Sequence, residues 1–219
     1  KQSIIEYLKA TFSFKEKVVS DAFYNFIENP KEGIFKGPYV SLKLPFETSQ
    51  GTEEMPLEIA PNFPPYKHQF EAFKRLHTTD GHKPEPTLLT TGTGSGKTES
   101  FLFPILDYCY KHRNERGVKV IILYPMNALA TDQAKRLAEA IHEDERLRGV
   151  VTAGLFIGEG KDKGKFPKNM GETHVIENRD EIVSNPPDIV LTNFKMLDYG
   201  LMRHDFHKLW IHNFDNPEL

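Results

Sequence analysis

Apolar residues recur at helical spacing near the start of the chain. Ile4, Ile5 and Leu8 are followed by Val18, Val19, Ala22, Phe23, Phe26 and Ile27, which predicts two amphipathic helices split near Ser13. Residues 30–65 break that pattern with seven prolines and with glycines at 33, 37 and 51. The stretch is read as irregular, with a short strand at 39–44. Beyond Pro65 comes a helix-sized segment, 66–77, and then an alternation. Short β-rich runs at 87–91, 119–124, 151–157 and 188–192 are interleaved with helical patterns at 96–113, 127–144 and 194–203. Such alternation predicts an α/β domain, a parallel sheet with crossover helices. The expected division is an N-terminal helical and irregular extension over 1–60 and the α/β domain over 61–219. Ligands of such sheets sit at the carboxyl ends of the strands, so the residues that follow each run carry the chemistry.

Composition fits this architecture and excludes several classes of function. The 219 residues are 38% hydrophobic and 27% charged, enough for a core and typical of a soluble globular chain. The net charge of −3, from 28 Lys plus Arg against 31 Asp plus Glu, excludes nucleic-acid or membrane binding by bulk basicity. Any such contact must be local. The single cysteine, Cys109, provides neither an intrachain disulfide nor a cysteine-rich zinc site and points to a reducing compartment, so a cytoplasmic location is expected. No apolar run approaches the ~20 residues of a membrane span, and no membrane contact is expected. The chain opens Lys1-Gln2-Ser3 with no secretion pattern and no initiator Met, and is expected to be a fragment.

The sharpest chemical signal is Thr91-Gly92-Thr93-Gly94-Ser95-Gly96-Lys97-Thr98, followed by Glu99, placed after the apolar run 87–91 and before a helical pattern. Glycines let the backbone turn its N–H groups inward around phosphates, and the helix that follows adds its N-terminal partial charge. In this reading residues 91–99 bind a nucleotide, Lys97 reaches its β- and γ-phosphates, and the Thr98 hydroxyl ligates Mg²⁺. The strict pattern has glycine where this chain has Thr91, but Gly92, Gly94 and Gly96 preserve the loop's freedom. The bland alternative, a glycine-rich turn with a stray lysine, leaves the flanking strand and helix patterns unexplained. Pro104 is expected to bend the helix, and Cys109 to be a buried small hydrophobe.

Flanking segments narrow the class of nucleotide enzyme. Pro65-Tyr66-Lys67-His68-Gln69 resembles the adenine-sensing glutamine motif of superfamily 2 helicases, and the Gln69 amide offers donors and an acceptor suited to adenine. Tyr124-Pro125-Met126-Asn127-Ala128-Leu129-Ala130-Thr131-Asp132-Gln133 resembles motif Ia of that superfamily, where a helix opening near Asn127 exposes amides suited to a nucleic-acid phosphate. Gly154-Leu155-Phe156-Ile157-Gly158 resembles its glycine-containing strand-end motif, and the run from Pro186 to Leu197 resembles motif Ib. On this reading Pro125, Asn127, Ala128, Gln133, Gly158, Thr192 and Asn193 contact the sugar-phosphate backbone of the loaded strand. The chain is thus similar to the first RecA-like domain of a superfamily 2 DEAD/DEAH-box helicase. The resemblance extends to the large bacterial branch with a cysteine-containing C-terminal module, which includes mitomycin-repair and phage-defence helicases. There Gly37-Pro38-Tyr39 and Leu44-Pro45-Phe46 also have counterparts.

The resemblance implies ATP and Mg²⁺ as cofactors, DNA as the track, and a second RecA-like domain of the same protein as partner. In the family the next strand carries an acidic pair that holds Mg²⁺ and positions the attacking water. No apolar run here ends in such a pair: residues 209–215 are too polar, and Asp188 precedes its strand. The chain is therefore expected to stop before that motif and to hydrolyse ATP negligibly by itself. The alternative function is a module that binds nucleic acid or a partner without unwinding. The lysine-rich segment 158–168 with Phe166 is read as a solvated loop, and His204, His207 and His212 as a solvated helix end.

Overall fold

The computed structural model describes residues 1–36, 45–49, 54–158 and 166–215. The expected strand at 39–44, the Gly37-Pro38-Tyr39 triplet and most of the lysine-rich loop lie outside the described residues. The chain divides into two compact units, Lys1–Pro45 and Phe46–Leu219.

The first unit holds α1 (Gln2–Thr11) and α2 (Lys17–Glu28), split where the apolar period slips. Ile5 and Ile27 are buried, and Phe12 and Phe14 meet Phe23 edge-on, with ring centroids 6.0 and 5.4 Å away. Gly33 is required behind α2, because a Cβ there would lie 2.4 Å from the Asn29 carbonyl oxygen.

The second unit is an α/β layer structure. Its helices are α3 (Lys67–Leu76), α4 (Lys97–Lys111), α5 (Asn127–Glu143), α6 (Arg179–Ser184), α7 (Phe194–Met202) and α8 (His207–Asp215). Three strands, β1 (Val120–Leu123), β2 (Ala153–Phe156) and β3 (Ile189–Thr192), pair in parallel in the order β1-β3-β2. β3 is central, and its side chains alternate between two cores as the pleat dictates. Ile189 and Leu191 join Leu102, Leu106 and Cys109 of α4 and Ala134, Leu137 and Ile141 of α5. Val190 joins Ile182, Met196, Leu209 and Trp210 on the other face. This is the parallel sheet with crossover helices that the alternating pattern predicts, the architecture of a RecA-like α/β domain. Among the described residues no helix is long and apolar enough to cross a membrane.

One expected strand is absent. Residues 87–91 take no place in the sheet, and Leu88 is 86% exposed. The backbone just before them is tied to α3 instead: Glu85 N donates to Arg75 O, and Arg75 reaches Pro86 O and the Thr87 hydroxyl. A β-prone run becomes a strand only beside a ladder partner, and no described strand offers one here. Residues 209–215, too polar for a strand, form α8. Its Asn213 side chain accepts from Val118 N and donates to Val118 O, standing in for a neighbouring strand at the start of β1.

Two carboxylates, one buried and one largely covered, organise the unit. Asp107 is fully buried on α4, where Oδ1 accepts from Glu58 N and Ile59 N at 2.7 and 2.9 Å and Oδ2 pairs with Lys111 at 2.7 Å. This clamp attaches the irregular residues 54–60 to the α/β core. Asp188 sits at the amino ends of the strands, with Oδ1 2.5 Å from the buried Lys119 ammonium and Oδ2 accepting from Thr152 N and Oγ1. Its place before β3 is thus a pinning position and not a metal-binding one.

Candidate functional site

The turn from Thr91 to Thr98 is built by backbone sign changes that only glycine makes cheaply. Gly94 has φ of +77° and Gly96, which caps α4, has φ of +70°. The loop is braced from inside. Ser95 is buried, its hydroxyl 2.5 Å from the Thr91 hydroxyl, and His68 Nε2–H donates to Ser95 O at 2.8 Å. Lys97 folds across the loop, its ammonium donating to Thr91 O and Gly92 O at 2.8 and 2.7 Å. Thr93, Gly94, Ser95, Gly96, Lys97, Thr98 and Glu99 line one open cleft of about 860 Å³ together with Thr48, Phe63, Tyr66, Gln69 and Arg136.

Gln69 is already engaged within the fold. It is buried; Oε1 accepts from Tyr66 N at 2.8 Å and Nε2 donates to Gly96 O at 3.0 Å. It therefore closes the start of α3 as a capping glutamine and ties that helix to the phosphate loop. One N–H and one lone pair remain for a ligand. Glu99 is engaged as well, since its Oε1 is 2.6 Å from Arg136 Nη2 on α5.

A second, smaller cleft of about 470 Å³ opens at the carboxyl ends of the strands. It brings together Pro125, Asn127, Gly158 and Asn193, from three separate loops, with Phe194, Lys195 and Tyr199. Both α5 and α7 begin here. Asn193 caps α7 by accepting from Met196 N at 2.9 Å, and its Nδ2 donates to Asn127 Oδ1 at 2.6 Å. No side chain caps α5, so its first amides face outward beside Asn127 and the exposed Ala128. Thr192 does not reach this cleft: it is buried, and its hydroxyl donates to Phe156 O. Gln133 lies further along α5, partly covered and bonded to Asp132.

Neither Asp-Glu dipeptide among the described residues sits at a strand end. Asp144 and Glu145 follow α5, and the Arg146 guanidinium bonded to Asp144 holds that carboxyl below the usual range. Asp180 and Glu181 occupy the first turn of α6. Among the described residues no group of three or more His, Cys, Asp or Glu side chains could hold a metal ion. His207 stacks on Phe214 at 5.3 Å. Burial pushes the Cys109 thiol well up, as for an inert core side chain.

Arg136 carries no motif signal, because it meets Glu99 across 37 residues of sequence. It is also close enough to Tyr124 to oppose the rise that burial imposes on that phenol. Tyr66 and His68 likewise act through the fold: their rings stack at 5.7 Å beside the loop.

The DEAD/DEAH box helicase family matches residues 66–213, which span α3, the phosphate loop, most of the first cleft's lining and the second cleft. The chain belongs to that family. Curated relatives agree. The chain is 31% identical over 179 residues to the Druantia protein DruE of Escherichia coli (71% of this chain, 9% of the relative). It is 27% identical over 149 residues to an uncharacterised ATP-dependent helicase of Methanocaldococcus jannaschii (67% and 18%) and 28% identical over 151 residues to one of Bacillus subtilis (69% and 16%). The chain thus spans less than a fifth of each of these relatives. No solved structure matches it.

Proposed function

We propose that this chain is the nucleotide-binding core of an ATP-dependent helicase or translocase that grips one strand of DNA by its backbone. The observation that carries the reading is the pairing of a braced phosphate loop with a cleft at the strand ends, joined by α5. Lys97 and the loop amides would hold the phosphates, and the Thr98 hydroxyl would hold Mg²⁺. The donor set fits: two left-handed glycines give the loop the turn a phosphate cradle needs, and the Lys97 ammonium already rests on carbonyl oxygens that phosphate oxygens would replace. Bound ATP supplies the phosphoryl group whose transfer to water drives movement.

In this reading Gln69 positions the loop and contributes its remaining N–H and lone pair to the base. Pro125, Asn127, Ala128, Gly158 and Asn193 take the strand, with Gln133 further along the same helix. Such contacts are sequence-neutral and strongly salt-dependent. The partner for hydrolysis is a second RecA-like domain of the same protein, which supplies the facing half of the nucleotide cleft. The names of the relatives support ATP-driven helicase chemistry, and the likeness of the motifs to DNA-tracking enzymes supports DNA.

Lys97→Ala tests the first half of the reading. Titration with a fluorescent ATP analogue is expected to show binding by the parent and none by the variant, and equal curves would overturn the assignment. Strand displacement by the intact protein on forked DNA and forked RNA tests the track. Activity on RNA alone would contradict DNA, and ATP turnover without displacement on either fork would favour a non-unwinding module.

A further inference from the structure

We propose that Arg136 is a second phosphate-binding cation of the nucleotide cleft, held by Glu99 until the nucleotide replaces that carboxylate. The inference rests on the reading of residues 91–98 as a phosphate cradle. Among the described residues, Lys97 and Arg136 are the cationic side chains lining the cleft. Lys97 opens α4 directly behind the loop, whereas Arg136 comes from α5. Arg136 is partly exposed, with 46% of its side chain accessible, so the guanidinium is presented to the cleft and not locked in a core.

Its partner stands in for an anion. Glu99 lies in the first turn of α4, where unpaired amides and the helix dipole favour negative charge. Its Oε2 is 3.2 Å from where a Cβ on Gly96 would stand, against the loop itself. A carboxylate there fills the region that a polyphosphate would enter. A phosphate group carries more charge than a carboxylate, and guanidinium pairs with it through two parallel N–H···O bonds. Arg136 therefore exchanges one anion for a stronger one at the same place. Its Nη2–Glu99 Oε1 bond spans only 2.6 Å and leaves further N–H groups of the fork for the phosphates.

The exchange predicts opposite signs for the two partners. Arg136→Gln removes the cation and weakens binding of a fluorescent ATP analogue roughly tenfold. Glu99→Gln releases the guanidinium and tightens binding, and this gain shrinks when Arg136→Gln is also present. In competition with AMP, ADP and ATP, the loss in Arg136→Gln grows with phosphate number, which damage to packing would not produce. Arg136→Lys keeps the charge and recovers part of the affinity. Unfolding midpoints of each variant are measured alongside. The inference fails if Arg136→Gln binds ATP as the parent does, if its loss is the same for AMP, or if Glu99→Gln weakens binding. If Lys97→Ala abolishes binding while Arg136→Gln binds as the parent does, this inference alone falls; if Lys97→Ala also binds normally, the cradle reading falls with it.

Discussion

Replacing Gly94 and Gly96 by alanine, one at a time, separates two reasons for glycine in the phosphate loop. Both residues are left-handed, with φ of +77° and +70°, and an L side chain costs about 1–2 kcal/mol in that region. At Gly94 nothing lies within 4 Å of an added Cβ, so this strain is the whole cost. At Gly96 the new atom would stand 2.4 Å from Gln69 Nε2. Gln69 is 2% exposed, and moving its amide breaks the bonds to Gly96 O and Tyr66 N. At about 1 kcal/mol for each bond, Gly96→Ala costs about 3–4 kcal/mol in all. Urea unfolding of the 219-residue chain measures both variants. In a Gln69→Ala background the loss from Gly96→Ala drops back to about 1–2 kcal/mol, a coupling of about 2 kcal/mol in the double-mutant cycle. Equal losses at 94 and 96, or no coupling to Gln69, would refute the reasoning.

Three further outcomes are expected. Asn213→Ala strips the paired side chain from both backbone groups of Val118 and lowers stability by about 2 kcal/mol in the same unfolding experiment. Asn193→Asp keeps an oxygen for the α7 cap but places negative charge in the second cleft. Oligonucleotide affinity by fluorescence anisotropy should fall while the unfolding midpoint holds, and unchanged affinity would remove Asn193 from the strand site. Burial, together with His82 and Lys111, lowers the His77 pKa below 6.5, so the unfolded chain takes up that proton first. The stability His77 contributes is complete above pH 6.5 and is lost as pH falls through the window below it. His77→Gln should flatten the fall in unfolding midpoint between about pH 7 and pH 5.

The three strands and most of the helices were legible because each is a local pattern. Val120–Leu123 and Ile189–Thr192 are β-branched or aliphatic runs, and α5 repeats small and aliphatic residues at helical spacing from Ala130 to Ile141. The phosphate loop was legible for the same reason, since its glycines and lysine are contiguous. What escaped depends on distant neighbours. Residues 87–91 have strand propensity but no adjacent ladder, a fact held nowhere in those five residues. Thr192 looked like a strand-end hydroxyl available to a ligand, yet Phe156 lies beside it across the β2–β3 pair. Gln69 carried the motif, but its engagement with Gly96 required knowing that α3 packs on α4. Six-residue α6 is too short for periodicity, although Asn178, whose side chain accepts from Glu181 N, marks its start as a capping residue does.

The Lys119–Asp188 pair makes the two ends of the sheet mechanically unlike. At the amino ends one carboxylate holds the ammonium next to β1, the hydroxyl and amide of Thr152 before β2, and the start of β3. All three strands are riveted at a single largely covered point, where separating them would strand the buried Lys119 charge. At the other end hydrogen bonds take that place: Asn193 donates to Asn127, and the Thr192 hydroxyl donates to Phe156 O. The sheet is thus held by a charged pair at its base and by hydrogen bonds at its tip. Amide exchange should be slowest near Ile189 and Ala153 and quicken toward the clefts, where ligands must be admitted and released.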